Sequence, residues 1–124
     1  MAMISDYILD TALSILDTAA NRIDICSAEP TTFTAATVTV TLGNGVPTIG
    51  SPVDRAASGG GRKVVASALA ATAVTATGTA THYAITDTVN SRLLATGALT
   101  ASQAVTSGNS FTLTAFDIGI PDAV

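Results

Sequence analysis

The chain reads as an all-β protein: an antiparallel β-sandwich of jelly-roll-like kind with one short N-terminal helix. Three observations predict this class. From Val64 onward the only formally charged side chains are Asp87, Arg92, Asp117 and Asp122. In place of charge stand Thr, Ser and Ala, alternating with apolar residues in short runs such as Thr79-Ala-Thr-His-Tyr-Ala-Ile-Thr86 and Ser110-Phe-Thr-Leu-Thr-Ala115. That period-two pattern is the signature of strands with two unlike faces. Clusters of Gly, Ser and Asn cut the runs where turns are needed, and a single segment near the N-terminus shows helical periodicity.

That segment, 5–16, comes first. Ser5 is placed to cap a helix, Asp6 sits in its first turn, and Ile8, Leu9, Ala12, Leu13 and Leu16 recur at three- and four-residue spacing. Residues 17–21 read as a turn. Residues 22–27 alternate as a strand, with Ile23 and Ile25 on one face and Arg22, Asp24 and Cys26 on the other, and Glu29-Pro30 ends it because proline removes a ladder donor. A single helical turn is expected over 31–36. A second strand follows over 37–42, with Val38, Val40 and Leu42 facing inward, and Gly43-Asn-Gly45 supplies a hairpin turn. Residues 47–61, with two prolines and a Ser-Gly-Gly-Gly run, read as an exposed loop. The remainder is expected to be a strand meander over 62–69, 72–77, 79–86, 92–99, 103–106 and 110–119. In the last of these, Phe111, Leu113 and Ala115 share one phase and Phe116, Ile118 and Ile120 the other, which predicts a bulge or a bend between sheets near Ala115-Phe116.

Composition bounds what such a domain can do. With 124 residues, positions 1–124 are expected to form a single domain with one core. Hydrophobic residues make up 48%, yet aromatics only 4%, and Trp is absent. Much of the apolar content is therefore alanine, which removes little area from water on burial. A core of that kind predicts modest stability for a lone subunit and a gain from contacts with other chains. The net charge of −4, with Arg22, Arg55, Arg62, Lys63 and Arg92 scattered, excludes the basic footprint of a nucleic-acid binder. One cysteine, Cys26, permits no internal disulfide, reads as a small buried hydrophobe, and fits synthesis in a reducing cytoplasm. No basic n-region precedes the first apolar stretch, and Asp6 and Asp10 interrupt it, so no signal peptide is expected. The uncharged stretch 64–81 is rich in Thr and β-branched residues and contains Gly78, so it reads as a strand pair and not as a membrane span.

The candidates for chemistry are few. His82 is the sole histidine, in phase with Ala80 and Ala84, and no Cys/His/carboxylate cluster accompanies it as a metal site requires. The many serines offer no nucleophile-elbow pattern. Gly59-Gly-Gly61 before Arg62-Lys63 lacks the phosphate-loop spacing and precedes a strand, so no helix N-terminus would face a phosphate. Asp6, Asp10 and Asp17 fall near one side of the helix, with Asp24 following, and read as a solvated acidic face that could also meet a cation or a basic partner. Lys63, the only lysine, could in principle form an isopeptide bond with an Asn or Asp. The expectation is therefore a protein that is not an enzyme, with no catalytic, cofactor-binding or metal-binding residues.

Three stretches carry a family resemblance. The opening Ser5-Asp-Tyr-Ile-Leu-Asp-Thr-Ala-Leu13, the strand closing in Cys26-Ser-Ala-Glu-Pro-Thr-Thr32 and the glycine run before a strand resemble small virion proteins of tailed bacteriophages. The closing third is the most specific part. Gly78-Thr-Ala-Thr-His-Tyr-Ala-Ile-Thr-Asp87, Asn90-Ser-Arg-Leu-Leu-Ala-Thr-Gly-Ala-Leu-Thr-Ala101 and Val105-Thr-Ser-Gly-Asn-Ser-Phe111 are similar to a recurring phage pattern of a threonine–histidine strand, a leucine-rich strand and a hairpin. The likeness departs at Gly61-Arg62-Lys63, where family members often carry Gly-Tyr-Ala-Arg. The resemblance implies a β-sandwich virion component and no catalytic residues. It leads to the expectation of a capsid decoration or cement protein on the head surface, with the major capsid protein and copies of itself (trimer or dimer) as partners. The 47–61 loop and the acidic N-terminal segment are the first candidates for contacts. A tail, baseplate or fibre-associated subunit is the alternative within the virion. A small carbohydrate-binding module is the alternative of another class, opposed by the scarcity of aromatic platforms beyond Tyr7, Tyr83, Phe33, Phe111 and Phe116.

Overall fold

In the computed structural model, which describes residues 4–56 and 60–121, the chain forms antiparallel sheets with one short helix, the all-β, sandwich-like class expected. The elements are α1 (Asp6–Thr18), β1 (Arg22–Cys26), a π-helical turn (Ala35–Thr39), β2 (Thr41–Gly45), β3 (Val53–Asp54), β4 (Arg62–Ala66), β5 (Leu69–Ala73), β6 (Gly78–Asp87), β7 (Arg92–Val105), β8 (Ser110–Leu113) and β9 (Phe116–Ile120). Contacts group them into two compact units, one of Met1–Ala19, Thr48–Ala68 and Thr114–Val124, the other of Ala20–Pro47 and Leu69–Leu113.

Strand pairing is nested, where a meander was expected. β6 pairs with β7, β5 with β8, and β4 with β9, all antiparallel. The reason lies in the connections. Only Ser67-Ala68 separates β4 from β5, and only Thr114-Ala115 separates β8 from β9. A two-residue hairpin needs positive φ, which these residues disfavour, so the chain runs on into a different sheet instead of reversing. The phase change foreseen at Ala115-Phe116 is this transition: β8 pairs with β5, and β9 pairs with β4. The tight reversal between β6 and β7 is built by Asp87. Its carboxylate accepts from the backbone N–H of Val89 at 3.0 Å and of Asn90 at 3.3 Å and from Asn90 Nδ2 at 2.8 Å, while Ser91 takes φ +53°.

In the second unit four strands lie in the order β2-β1-β6-β7. β1 and β6 are central, and β1 buries four of its five residues and β6 half of its ten. Ile23 and Ile25 of β1, with Ile85 of β6, are fully buried large side chains, and Ile23 and Ile85 are cross-strand partners. The short ribbon β5-β8 packs beside β2. Val74 bridges Gly43, the amides of Thr75 and Ala76 donate to the Leu42 carbonyl, and the Phe111 ring lies over Gly43. This close approach needs a residue without Cβ, since an added Cβ at Gly43 would stand 2.7 Å from the Ala73 carbonyl oxygen.

The stretch 37–42 departs from its strand expectation. Residues 35–39 form the π-helical turn, Val40 N–H reaches back to the Ala35 carbonyl, and Thr37 Oγ1 donates to the Phe33 carbonyl at 2.9 Å. Thr-Val alternation suits a strand, but Ala36 is drawn against Cys26 and Ala84 in a pocket that only small side chains leave open. Val38 consequently points outward. Gly43-Asn-Gly45, expected as a turn, is part of β2 and pairs with β1.

In the first unit, α1 extends two residues beyond its expected end and packs Leu9, Leu13 and Leu16 toward β4. Ser5 occupies the cap position, although its side chain makes no capping bond. Part of the expected 47–61 loop runs along β4 instead: Ile49 bridges Ala66 and is buried, Gly50 N–H donates to Val65, and β3 pairs with Arg62 and Lys63. The prolines at 47 and 52 mask this pattern in the sequence, because the donors they lack are not the ones the pairing uses. Residues 57–59 of that loop lie outside the described residues.

The Gly43 contact is directly testable. Gly43→Ala is expected to destabilise the protein by about 1–3 kcal/mol, because the obstructing atoms belong to backbone. Urea unfolding of the variant measures it, and an unchanged midpoint would show that the ribbon does not pack as described.

Candidate functional site

The most constrained polar cluster lies on β1. Asp24 is a central-strand residue with 0% exposure, and its carboxylate is held by three donors. Arg22 Nε and Nη2 each approach one carboxylate oxygen at 2.8 Å in a bidentate fork, and Thr41 Oγ1 donates to Asp24 Oδ2 at 2.6 Å. Arg22 Nη2 also donates to the Thr37 carbonyl at 3.2 Å, tying the π-helical turn to the sheet. Arg22 titrates above the ordinary arginine value, chiefly because of the hydrogen bond with Asp24. The sequence placed Arg22 and Asp24 on one strand face. It did not reveal that this face is covered, because the helical turn expected over 31–36 continues through Thr39, where the alternation of 37–42 suits a strand.

Cys26 continues the same face, and its cross-strand partner on β6 is His82. Cysteine, histidine and aspartate thus share one side of the sheet, an assembly that no motif announced. Its chemistry is structural. Cys26 is fully buried with Ala36 and Ala84, its thiol faces the Ala36 carbonyl at 3.9 Å, and burial above all, with the negative charge of Asp24, pushes its pKa up to about 12. A thiol so held supplies no thiolate near neutral pH. His82 Nδ1 lies 2.9 Å from Thr81 Oγ1, and both Asp24 oxygens are engaged by Arg22 and Thr41.

The acidic residues of the helix separate. Asp10 is taken up by Arg62, whose Nε lies 2.7 Å and Nη2 3.2 Å from its oxygens. The same guanidinium reaches Asp54 of β3 and, at 3.3 Å, the Pro52 carbonyl, so Arg62 joins α1, β3 and β4. Its pKa stands above the ordinary value, first because of Asp10. Lys63 reaches Asp117 across β4 and β9 at 2.8 Å as a partly exposed ion pair. Beside it, a cavity of about 410 Å³ is lined by Arg55, Ala56, Lys63, Asp117 and Gly119. Among the described residues, no group of three or more His, Cys, Asp or Glu is placed to hold a metal ion, and no helix is long and apolar enough to cross a membrane.

Two features face solvent. β7, 14 residues long, ends the four-stranded sheet, and after Arg92 it carries no charged side chain. Among the described residues no strand pairs with its outer edge, whereas the opposite edge, β2, is engaged by Val74, Thr75 and Ala76. The second feature is the outer side of α1, where Tyr7, Ile8 and Ile15 are exposed. Of the five aromatic side chains only Tyr7 is mostly exposed, while Phe111 is buried and Tyr83 lies over Gly97.

No family model, curated protein or solved structure matches the chain.

Two outcomes follow from the β1 cluster. Arg22→Met leaves the Asp24 carboxylate buried without its counter-ion, and a loss of about 2–4 kcal/mol in urea unfolding is expected. The double variant Arg22→Met/Asp24→Leu should recover most of that loss, and equal losses in both would mean that the pair contributes packing alone. For Cys26, thiol labelling at pH 8 should run at least about a hundredfold slower in the folded protein than in denaturant. Equal rates would place the thiol at the surface.

Proposed function

We propose that the chain is a virion structural subunit of a tailed bacteriophage, a decoration or cement protein bound to the outer surface of the head. The observation that carries this reading is the open edge of β7. Sheet edges in free-standing proteins are usually guarded by charge, proline or cover, and this edge has no charged side chain past Arg92 and no proline. An edge of that kind can extend a neighbouring sheet through main-chain hydrogen bonds. The resemblance of residues 78–120 to small phage virion proteins supports the same reading. Its mechanism is passive. Docking across the seams between major capsid subunits buries hydroxyl and methyl surface, and binding stabilises the folded subunit by mass action.

The test is the copy number of the protein in purified virions, measured against the major capsid protein by mass spectrometry. Abundance of the same order as the capsid protein is expected. A small number of copies per particle would move the protein to the tail, and its absence from virions would overturn the reading.

A further inference from the structure

The cavity of about 410 Å³ in the first unit is lined by two cations, Arg55 and Lys63, one carboxylate, Asp117, and the small residues Ala56 and Gly119. Strand register explains the grouping. Lys63 of β4 stands opposite Gly119 of β9, and Asp117, opposite Val65, is its diagonal neighbour. The two side chains therefore share one face of the sheet and pair at 2.8 Å. Gly119 leaves the floor open for the arginine. A Cβ there would stand 2.9 Å from Arg55 Cδ and 3.1 Å from its Nε, so the arginine stem lies close across β9. Arg55 is also fixed from its own loop, its backbone N–H donating to the Gly61 carbonyl at 3.0 Å and Nη1 to the Gly60 carbonyl at 2.8 Å.

We propose that this cavity binds a small hydroxy acid, its carboxylate against the two cations and a hydroxyl against Asp117. The balance of charge selects an anion. In a chain of net charge −4, this lining sets two cations against one carboxylate. The Lys63 ammonium has three protons to donate, and among the described residues Asp117 is its one acceptor. The Arg55 guanidinium adds a second positive charge at a fixed place. Asp117 then decides between anions. A bare inorganic anion would meet its carboxylate with nothing to offset the repulsion, whereas a hydroxyl donates to it. A zwitterion such as an amino acid would bring a further positive charge to a lining already in excess. None of the described lining residues is aromatic, so a neutral sugar finds no ring to stack on.

The volume fits the class, since it equals roughly that of a dozen waters, room for one acid of monosaccharide size. The Lys63 and Asp117 side chains are 24% and 53% exposed, so solvent screens the charges. Binding is therefore expected in about the millimolar range. The inference does not rest on a virion role, since a soluble acid can be titrated whatever the protein decorates.

Titration of the full, isotope-labelled chain with D-glucuronate, followed by amide chemical shifts, tests it. Saturable changes are expected at Arg55, Ala56, Lys63, Asp117 and Gly119. Acetate lacks the hydroxyls and methyl glucoside lacks the carboxylate. Each of these, and equally inorganic phosphate and free glycine, should bind at least about tenfold more weakly. Lys63→Gln is expected to weaken glucuronate by a similar factor, and Asp117→Ala to abolish the preference for glucuronate over acetate. The ion pair that both variants break is partly exposed, so their urea midpoints should stay near the wild type. If either variant misfolds, the ligand series on the wild-type chain decides the matter by itself. The methyl glycoside of glucuronate, capped as in a glycan, separates two sources of the acid: undiminished binding assigns a glycan end, and loss of binding a free acid. No saturable change, equal binding of acetate or phosphate, or shifts centred on other residues would overturn the proposal.

Discussion

Asp24 sits on a central strand with no contact with water, and the cost of burying a carboxylate there is severe unless donors surround it. The cluster meets that requirement with residues from three separate stretches. Arg22 lies on the same strand, Thr41 comes from β2, and the Thr37 carbonyl from the π-helical turn accepts a second bond from Arg22 Nη2. Bringing those stretches together is also what closes residues 27–40 over the sheet and buries Cys26 and Ala36. The register of β1 against β2 and the position of the turn are therefore parts of one solution. Shifting β2 by a residue would take Thr41 from Asp24, and shifting the turn would take the Thr37 carbonyl from Arg22.

The first unit repeats this economy with other residues. Arg62 binds Asp10 of the helix, Asp54 of β3 and the Pro52 carbonyl, linking three segments distant in sequence. Two arginines thus cross-link segments far apart along the chain, beside a core of Leu, Ile and Val. Arginine suits the task because its planar fork can serve several acceptors while remaining charged. The residues that looked in sequence like scattered surface cations are thus fixed points of the fold.

The surfaces left over are uncharged and carry the functional reading. β7 presents an unguarded edge, and α1 presents isoleucines that its own unit does not cover. These are the features that the proposed place in a lattice would use. The histidine and cysteine that share the β1–β6 face are absorbed into packing: the thiol is held protonated by burial, and His82 lies beside a threonine hydroxyl.

What the sequence determined by itself follows from local periodicity. Alternation in the charge-poor half announces strands, the i, i+3, i+4 spacing of Leu9, Leu13 and Leu16 announces the helix, and the phase change at Ala115-Phe116 announces the passage between sheets. Each signal depends on neighbours a few residues apart. Partner choice does not. That β4 pairs with β9 and β5 with β8 depends on contacts far apart along the chain, and the connections only exclude a meander. Residues 37–42 alternate like a strand and yet form a π-helical turn over 35–39, because Ala36 finds a small-residue seat beside Cys26 and Ala84 that exists only after β1 and β6 have paired. Whether Arg22 meets solvent or a buried carboxylate, and whether Ile8 and Ile15 are core or surface, was likewise left to the tertiary structure. An amphipathic pattern says which residues share a face, and only the assembled neighbours decide which face is covered.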